Sequence, residues 1–341
     1  MCSSSMGEAE AGSPHFPRGG VKLHPLLLPP FGGLQMAQSF SHSPVLVDTV
    51  VSVLASVPDG VLFDATVGGG GHAAALLAAR PGLRLVGVDR DASALEAARR
   101  RLEPFGDRVH LVHAPFSSIA EVAPDQLAAA LFDLGVSSPQ LDLAERGFSY
   151  RADAPIDMRM DTSTGTTAAQ LVNELDQHEL AALFRDSGES RFAARIARAV
   201  VAARPLTTTG ELADVVADAI PAAARRRGHP ARRVFQALRI AVNDELGELG
   251  RALPVAIERL AVGGRCIVIS YHSGEDRLVK GLFASAASGG CTCPPGLPCV
   301  CGAVARHTLA FRGSRQATAD EVASNPRADA ARLRAIERTS L

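Results

Sequence analysis

A glycine-rich turn between two short apolar runs constrains the fold of this chain most strongly. The first run, residues 61–63, ends in Asp64 and leads into the turn Gly68-Gly69-Gly70-Gly71-His72. A helix is predicted after the turn, and a second apolar run, residues 85–88, ends in Asp89. Such an alternation predicts a β-α-β unit, in which glycines let the backbone turn tightly and approach a ligand. The stretch therefore predicts a nucleoside-binding site.

Two classes of cofactor use this layout, and the glycines alone do not separate them. Residues 68–73 also satisfy the loose dinucleotide pattern glycine-x-glycine-x-x-alanine. Asp64 favours S-adenosylmethionine, because that cofactor has a cationic amino group and sulfonium where a dinucleotide has an anionic pyrophosphate. Asp89 stands where a carboxylate can accept hydrogen bonds from both ribose hydroxyls. A turn without a ligand is the third interpretation, and the paired acids argue against it.

Length and composition are those of a chain with a sizeable core. The 341 residues suffice for one large or two modest domains. Hydrophobic residues make up 47% and charged residues 21% of the chain, as in ordinary soluble globular proteins. No apolar run reaches the length needed to cross a bilayer, so we expect no membrane partner.

The first forty residues lack the features of a secretory signal. They contain Pro, Gly, Ser and a short Leu-rich patch, but no basic start, long apolar segment or small-residue cleavage site. We predict a disordered leader over 1–40, or a mis-assigned start with Met36 as the initiator. The expected location is the cytoplasm.

Four of the six cysteines lie close together in the sequence, in two Cys-x-Cys pairs. In a cytoplasmic protein such a cluster suggests metal binding more than disulfides, and four thiolates could complete a tetrahedral zinc site. The spacing is tighter than in the usual Cys-x-x-Cys zinc knuckles, so we assign no metal and keep zinc as the alternative to a reduced, proline-stiffened loop. The four residues are Cys291, Cys293, Cys299 and Cys301.

Strands alternate with helices in the first part of the chain, and one further strand follows a long helical stretch. This pattern predicts an α/β fold, whose parallel sheet carries helices on both faces and binds ligands at the carboxyl ends of its strands. A helix is predicted over 43–56 and a single long helix over 232–253. The predicted strands are 61–64, 85–89, 109–113, 130–134 and 265–270.

The simplest organisation is one α/β domain in two separated pieces. We assign 41–145 and 235–325 to this domain, 146–234 to a helical insertion that recognises the substrate, and 326–341 to a C-terminal tail. From Arg185 to Arg239 the chain has eleven Arg against five acidic residues. A polyanion such as RNA explains this asymmetry, whereas a solvated face in an Arg-rich protein is the alternative.

Several longer motifs occur in a fixed order along the chain. They are HSPVL at 42–46, DATVGGGGH at 64–72, DLGVSSPQLD at 133–142, RGFSY at 146–150, DMRMD at 157–161, FQALRIAVNDEL at 235–246, HSGEDR at 272–277 and NPRADAARLR at 325–334. Together they resemble the RsmH (MraW) family of small-subunit ribosomal RNA cytosine-N4 methyltransferases, from about residue 42 to residue 338. Gly274 departs from the family, which usually has Leu there, and the amino-terminal extension has no counterpart.

The resemblance implies a class I (Rossmann-like) S-adenosylmethionine methyltransferase with an inserted all-helical domain. Its implied reaction is methylation of the exocyclic N4 amine of one cytidine in the decoding region of 16S ribosomal RNA, within the small ribosomal subunit. A homodimer is compatible with the sequence, which does not set the oligomeric state. The alternatives are an RNA-binding assembly factor without catalysis and a dinucleotide-dependent oxidoreductase.

Seven residues fall on positions that the resemblance implies for the cofactor pocket. Asp89 would hold the ribose hydroxyls, and Phe116 would pack on the adenine. The others would line the pocket: Gly70, Gly71, His72, Asp133 and Gln140.

The residues that would hold the cytosine are less defined. The amine is a poor nucleophile, so the enzyme must stabilise the positive charge that develops as the methyl group arrives. Ser138 and His272 are the candidate catalytic contacts to the base, and the alternative for His272 is a structural cap at the end of the fifth strand. No aromatic residue follows Pro139, so a stacking ring must come from elsewhere. The candidates are Phe148, Tyr150 and Tyr271.

Overall fold

The computed structural model describes residues 44–189, 191–225, 229–294 and 300–339, except for the side chains of 138, 139 and 223. The predicted leader over 1–40 lies outside these ranges. The strands form one seven-stranded sheet in the order β3-β2-β1-β4-β5-β7-β6. They are β1 Gly60–Asp64, β2 Leu83–Asp89, β3 Val109–His113, β4 Leu127–Asp133, β5 Leu260–Ser270, β6 His307–Leu309 and β7 Arg332–Arg338.

The first five strands are parallel, which confirms the predicted α/β class. The strand order reverses between β1 and β4, and in open α/β sheets this switch point is where ligands bind. The α-helices within the described ranges are α1 Val47–Val53, α2 Gly71–Ala79, α3 Ala92–Leu102, α4 Ile119–Val122, α5 Ser138–Asp142, α6 Ala168–Glu174, α7 Gln177–Asp186, α8 Ala193–Ala202, α9 Thr209–Ala219, α10 Arg232–Asn243, α11 Glu245–Glu258, α12 Ser273–Ala287 and α13 Ala319–Ser324.

Helices cover both faces of the sheet. Leu62 and Leu131 belong to a buried cluster with α1 and α2, whereas Phe63 and Phe132 belong to a second cluster with α11 and α12. Because β4 is covered on both sides, all its residues before Asp133 are buried, as expected for a central parallel strand.

The prediction of a single helix over 232–253 is wrong. Asp244 adopts a left-handed conformation with φ 47°, which ends α10 and begins α11. Asn243 is buried just before the break, where its side chain donates to the Met158 carbonyl and accepts from the Met160 backbone N–H. Helical spacing of apolar residues continues on both sides of the break, so periodicity did not reveal it. The first helix is also shorter than the predicted 43–56, and Ser43 lies outside the described ranges.

Two strands near the C-terminus were not predicted. β7 runs antiparallel to β5, and β6 runs antiparallel to β7. The residues that we assigned to a C-terminal tail therefore contain a strand of the sheet. Its sequence, RLRAIER, places only Leu333, Ala335 and Ile336 in the buried core between charged residues, which is a weak strand pattern.

Helices α6 to α10 pack around a hydrophobic cluster of their own, which includes Val172, Phe184 and Leu238. On α8, Ile196 and Val200 face this cluster, whereas Arg195 and Arg198 are exposed. α8 is therefore amphipathic. The domain boundaries stay a prediction. Within the described ranges, no helix has the length and apolar character that crossing a membrane requires.

Candidate active site

Three carboxylates meet at the switch point of the sheet. Asp64, Asp89 and Asp133 are the last residues of β1, β2 and β4, and the carboxyl ends of neighbouring parallel strands lie at one edge. Their negative charges act on one another, because Asp133 and Asp89 both raise the pKa of Asp64. A cationic ligand is the natural complement of this arrangement.

Asp64 is the most buried of the three, with 1% of its surface exposed. Its Oδ1 accepts a hydrogen bond from the Thr66 backbone N–H at 3.1 Å. Burial, together with the two neighbouring carboxylates, raises the pKa of Asp64 to about 7. A bound cation favours the ionised form of such a group, so Asp64 is suited to the charged end of S-adenosylmethionine.

Asp89 is held by backbone N–H groups on both oxygens. Oδ2 accepts from Gly68 at 2.9 Å, and Oδ1 accepts from Asp91 at 2.9 Å. A carboxylate offers about four acceptor positions, so capacity remains for two ribose hydroxyls. Burial raises the pKa of Asp89 to about 6 despite these bonds. The backbone N–H groups of Gly68 and Asp91 thus fix the orientation of this carboxylate.

Asp133 lies between a tyrosine and a histidine. Its Oδ1 accepts the Tyr271 hydroxyl proton at 2.8 Å, and its Oδ2 lies 3.6 Å from His72 Nδ1. His72 is buried, and its Nε2 lies 2.8 Å from the Val45 carbonyl, which can only accept, so this nitrogen carries the hydrogen. Burial raises the pKa of Asp133, and His72 and Tyr271 limit the rise.

The glycine turn delivers the start of α2 to this edge. Gly70 precedes the helix with φ 76°, a conformation that favours glycine, and Gly71 and His72 form its first turn. A Cβ on Gly71 would lie 2.5 Å from Pro44 Cγ, so α1 and its approach pack directly on the turn. The structure therefore brings these three predicted residues together beside the carboxylates.

Phe116 and Gln140 occupy different surroundings. The Phe116 ring packs edge-on against Phe132, with centroids 5.8 Å apart, and is half-buried near the end of β3. Gln140 is buried, and its Nε2 donates to Asp91 Oδ2 at 3.0 Å. Gln140 is thus held beside Asp91, two residues after the end of β2. Among the described residues, no hydrogen bond joins Gln140 to Asp64, Asp89 or Asp133.

Asp91 is a residue that sequence reasoning missed. It caps α3 by accepting from Ser93 N–H, and Arg146 Nη1 donates to its Oδ2 at 2.9 Å. Burial raises the pKa of Asp91, but the hydrogen bonds from Ser93, Gln140 and Arg146 outweigh it, so the pKa is lowered. An Asp directly before an apolar helix is a capping signal that could have identified this residue.

His272 is the N-cap of α12. Its Nδ1 accepts from the Gly274 and Glu275 backbone N–H groups at 3.2 and 3.3 Å, while Glu275 Oε2 accepts from the Tyr271 and His272 N–H groups. This capping box orders the end of β5. The cap that we held as the alternative for His272 is present. The backbone of Ser138 begins α5, but its side chain lies outside the described part of the structure.

Of the three candidate stacking rings, Tyr271 is the one at the carboxylates. Phe148 is buried in the helical cluster. Tyr150 stacks on His229 with ring centroids 4.5 Å apart and packs edge-on against Phe235. Burial and the charge of Asp133 raise the pKa of Tyr271 well above its usual value, so its hydroxyl keeps the proton that it donates.

A second acidic group lies next to His272. Oxygens of Glu245 and Glu275 and a ring nitrogen of His272 lie within 4.8 Å of one another. The Arg239 guanidinium donates to both oxygens of Glu245 at 2.7 and 2.8 Å. Because this guanidinium already supplies a cation, we assign no metal to the group.

Comparison with protein families decides between the classes of cofactor that the glycine turn left open. The model of the MraW methylase family matches residues 39–339. The chain belongs to the MraW methylase family. This confirms the resemblance, the class of enzyme and S-adenosylmethionine as the methyl donor of this MraW methylase. The three carboxylates and the glycine turn fit such a cationic nucleoside.

Curated relatives of this MraW methylase are similar over nearly their full length. "Ribosomal RNA small subunit methyltransferase H" of Thermobifida fusca (strain YX) is 55% identical over 88% of this chain and 94% of its own. The protein of the same name from Heliobacterium modesticaldum is 51% identical over 88% of this chain and 99% of its own. Among solved structures, an rRNA methylase from Streptococcus thermophilus is 14% identical and has a TM-score of 0.40. The match covers 89% of this chain and 99% of that protein's chain. Membership in the family therefore rests on the sequence matches.

Proposed function

We propose that this MraW methylase transfers a methyl group from S-adenosylmethionine to the exocyclic N4 amine of a cytidine in the decoding region of 16S ribosomal RNA. The observation that carries the proposal is the group of three carboxylates, with the Tyr271 hydroxyl on Asp133. The name of the relatives supplies the substrate, because proteins called ribosomal RNA small subunit methyltransferase H are about half identical to this chain.

The residues of the pocket divide the cofactor between them. We assign the ribose hydroxyls to Asp89, the adenine to Phe116, and the cationic end to Asp64 and Asp133. The pocket is lined by Gly70, Gly71 and His72. Gln140 acts through Asp91, to which it donates a hydrogen bond. When bound, S-adenosylmethionine supplies an electrophilic methyl group on its sulfonium.

The amine needs an acceptor more than a strong base. Its lone pair is delocalised into the ring, and an oxygen that accepts an amine hydrogen stabilises the positive charge as the methyl group arrives. We assign this role to Asp133, whose orientation Tyr271 fixes. The proton of the methylated ammonium is lost readily to solvent, so no general base is required.

His272 acts as a positioning residue in this proposal. Its cap orders the turn that carries Tyr271, and both N–H groups of this turn are held by Glu275. Contact between Ser138 and the base stays a prediction.

Two basic surfaces suit the RNA. Arg191, Arg195 and Arg198 are exposed along one face at the start of α8. A cavity of about 530 Å³ next to Tyr271 and His272 is lined by three exposed cations, and an RNA backbone neutralises such groups. These cations are Arg277, Lys280 and Arg332.

We also propose a cytoplasmic location, because the proposed substrate is a ribosomal subunit. The proposed homodimer is tested by light scattering of the purified protein.

Transfer of a labelled methyl group to purified small ribosomal subunits tests the proposal. We expect transfer by the wild type and by Asp125→Ala, which changes a fully exposed carboxylate. Asp89→Ala should abolish both transfer and cofactor binding measured by calorimetry. Full transfer by Asp89→Ala would refute the assignment of the ribose site.

Mass spectrometry of nucleosides from the methylated RNA tests the substrate. An N4-methylated cytidine at a single site of the decoding region is the expected product. Methylation of another base, or transfer to large subunits at the same rate, would contradict the proposed substrate.

A further inference from the structure

The connection from α12 to β6 brings three cysteine sulfurs together, away from the carboxylates. Cys291 and Cys293 follow the end of α12, and Cys301 lies where the chain returns towards β6. All three Sγ atoms lie within 4.8 Å of one another, and those of Cys291 and Cys301 are 3.6 Å apart. Cys299 lies outside the described ranges.

The separation of Cys291 Sγ and Cys301 Sγ is that of two ligands around one tetrahedral metal ion, and Cys293 Sγ lies within 4.8 Å of both. With a zinc–sulfur bond of about 2.3 Å, tetrahedral geometry places two sulfur ligands about 3.8 Å apart. The 3.6 Å between Cys291 and Cys301 needs almost no change to reach this value.

Backbone N–H groups point at one of the sulfurs. The Val300 N–H donates to Cys293 Sγ at 3.4 Å, and the Cys301 backbone N–H also donates to this sulfur. These N–H groups belong to the returning chain and hold Cys293 Sγ beside the other two sulfurs. The returning chain therefore supports Cys293 as a ligand.

The ends of the loop are fixed independently of any metal. Gly290 N–H donates to the Ser285 carbonyl at 2.8 Å, and Cys291 N–H donates to the Ser288 carbonyl at 3.2 Å, so the first cysteine is tied to the end of α12. Gly289 has φ 63°, and a Cβ there would collide with the Val304 carbonyl. The outgoing and returning segments thus pack on each other, which holds the sulfurs together.

We propose that Cys291, Cys293 and Cys301 bind a zinc ion as thiolates, and that this ion clamps the connection between α12 and β6. On binding, the three thiols lose their protons to solvent. Three thiolates fill three of the four positions of a tetrahedral zinc site. A soft d¹⁰ ion suits this set, because thiolates select zinc over magnesium or calcium.

The metal content of the full-length protein tests the proposal directly. The protein is purified with a reducing agent and without chelators, and zinc is measured by elemental mass spectrometry. We expect about one zinc ion per chain for the wild type and for Cys2→Ser, which removes a thiol far from the three ligands in the sequence. Cys291→Ser, Cys293→Ser and Cys301→Ser should each weaken zinc affinity by about tenfold or more.

Cobalt substitution identifies the ligands. Cobalt(II) added to the metal-free wild type should give an intense thiolate-to-metal band, whose strength reports the number of sulfur ligands. Circular dichroism shows whether each serine variant remains folded. Absence of both zinc and the cobalt band in the folded wild type would overturn the proposal, as would unchanged zinc binding by the folded triple variant. Neither result depends on methyl transfer.

Discussion

The Tyr271 hydroxyl donates a hydrogen bond of 2.8 Å to Asp133 Oδ1 and so joins the ends of β5 and β4. These strands are neighbours in the sheet, although the helices α6 to α10 separate them along the chain. The bond occupies one carboxylate oxygen and directs the other towards His72. The orientation and the pKa of Asp133 therefore depend on Tyr271, which follows the helices α6 to α10 along the chain.

Tyr271→Phe tests this dependence. Loss of the hydroxyl removes a hydrogen bond that lowers the pKa of Asp133 and fixes its orientation. A hydrogen bond to a charged group contributes about 1.5–3 kcal/mol, so we expect kcat to fall roughly 10- to 100-fold. The Kd for S-adenosylmethionine should change much less. Single-turnover methyl transfer and calorimetry measure the two quantities.

Tyr150→Phe is the matched control, because Tyr150 packs in the helical region against His229 and Phe235. Its kcat should stay within about twofold of the wild type. An equal loss in both variants would mean that the effect of Tyr271→Phe does not come from Asp133.

Cofactor affinity should rise with pH. The pKa values of Asp64 and Asp89 are about 7 and about 6, and the cationic cofactor binds best when both carboxylates are ionised. We expect the affinity to increase by at least about tenfold between pH 5 and pH 8. Calorimetry in buffers of different ionisation enthalpy should also show proton release on binding near pH 6.5. A flat affinity profile would contradict the raised pKa values.

Asp64→Asn should stabilise the cofactor-free protein at high pH. The pKa of Asp64 is about 7 in the folded protein, compared with an ordinary value of 3.8 for an Asp side chain, so the folded state favours the protonated form. Above pH 7 the ionised Asp64 side chain destabilises the folded state. We therefore expect the free energy of unfolding of the variant to exceed that of the wild type by about 2–4 kcal/mol. This gain should shrink as pH falls towards 4, where Asp64 is protonated in the fold. Urea unfolding at pH 8 and pH 5 measures it, and a gain that grows on acidification would have the wrong sign.

Gly70→Ala should impair folding and cofactor binding together. Gly70 has φ 76°, and a Cβ there would lie 3.1 Å from Leu102 Cγ. A left-handed alanine costs roughly 1–2 kcal/mol, and either the turn or the Leu102 side chain must shift to relieve the contact. Gly250→Ala is the control, since it lies inside α11 with open space around it and should gain about 0.5–1 kcal/mol. Thermal unfolding and calorimetry compare the two, and a neutral Gly70→Ala would argue against a constrained turn.

The central sheet and its acidic edge could be predicted from the sequence. Short apolar runs that end in Asp64 and Asp89, and a third run that contains Asp133, specify parallel strands and the edge at which they end. β3 has the predicted bounds of 109–113.

Contacts between distant segments could not be predicted in the same way. The break at Asp244 depends on Asn243 binding the backbone of Met158 and Met160, and no local pattern reports such a contact. The bond from Tyr271 to Asp133 and the place of Gln140 on Asp91 likewise depend on how segments meet. β7 was missed because half of its residues are charged.

The position of β7 in the sheet has a consequence for how copies of this enzyme meet one another. β7 covers the side of β5 that faces away from β4. An uncovered strand edge presents unpaired N–H and C=O groups, on which a strand of another molecule can form. Local opening of β7 would expose the edge of β5, so the pairing of β5 with β7 protects the sheet against edge-to-edge aggregation.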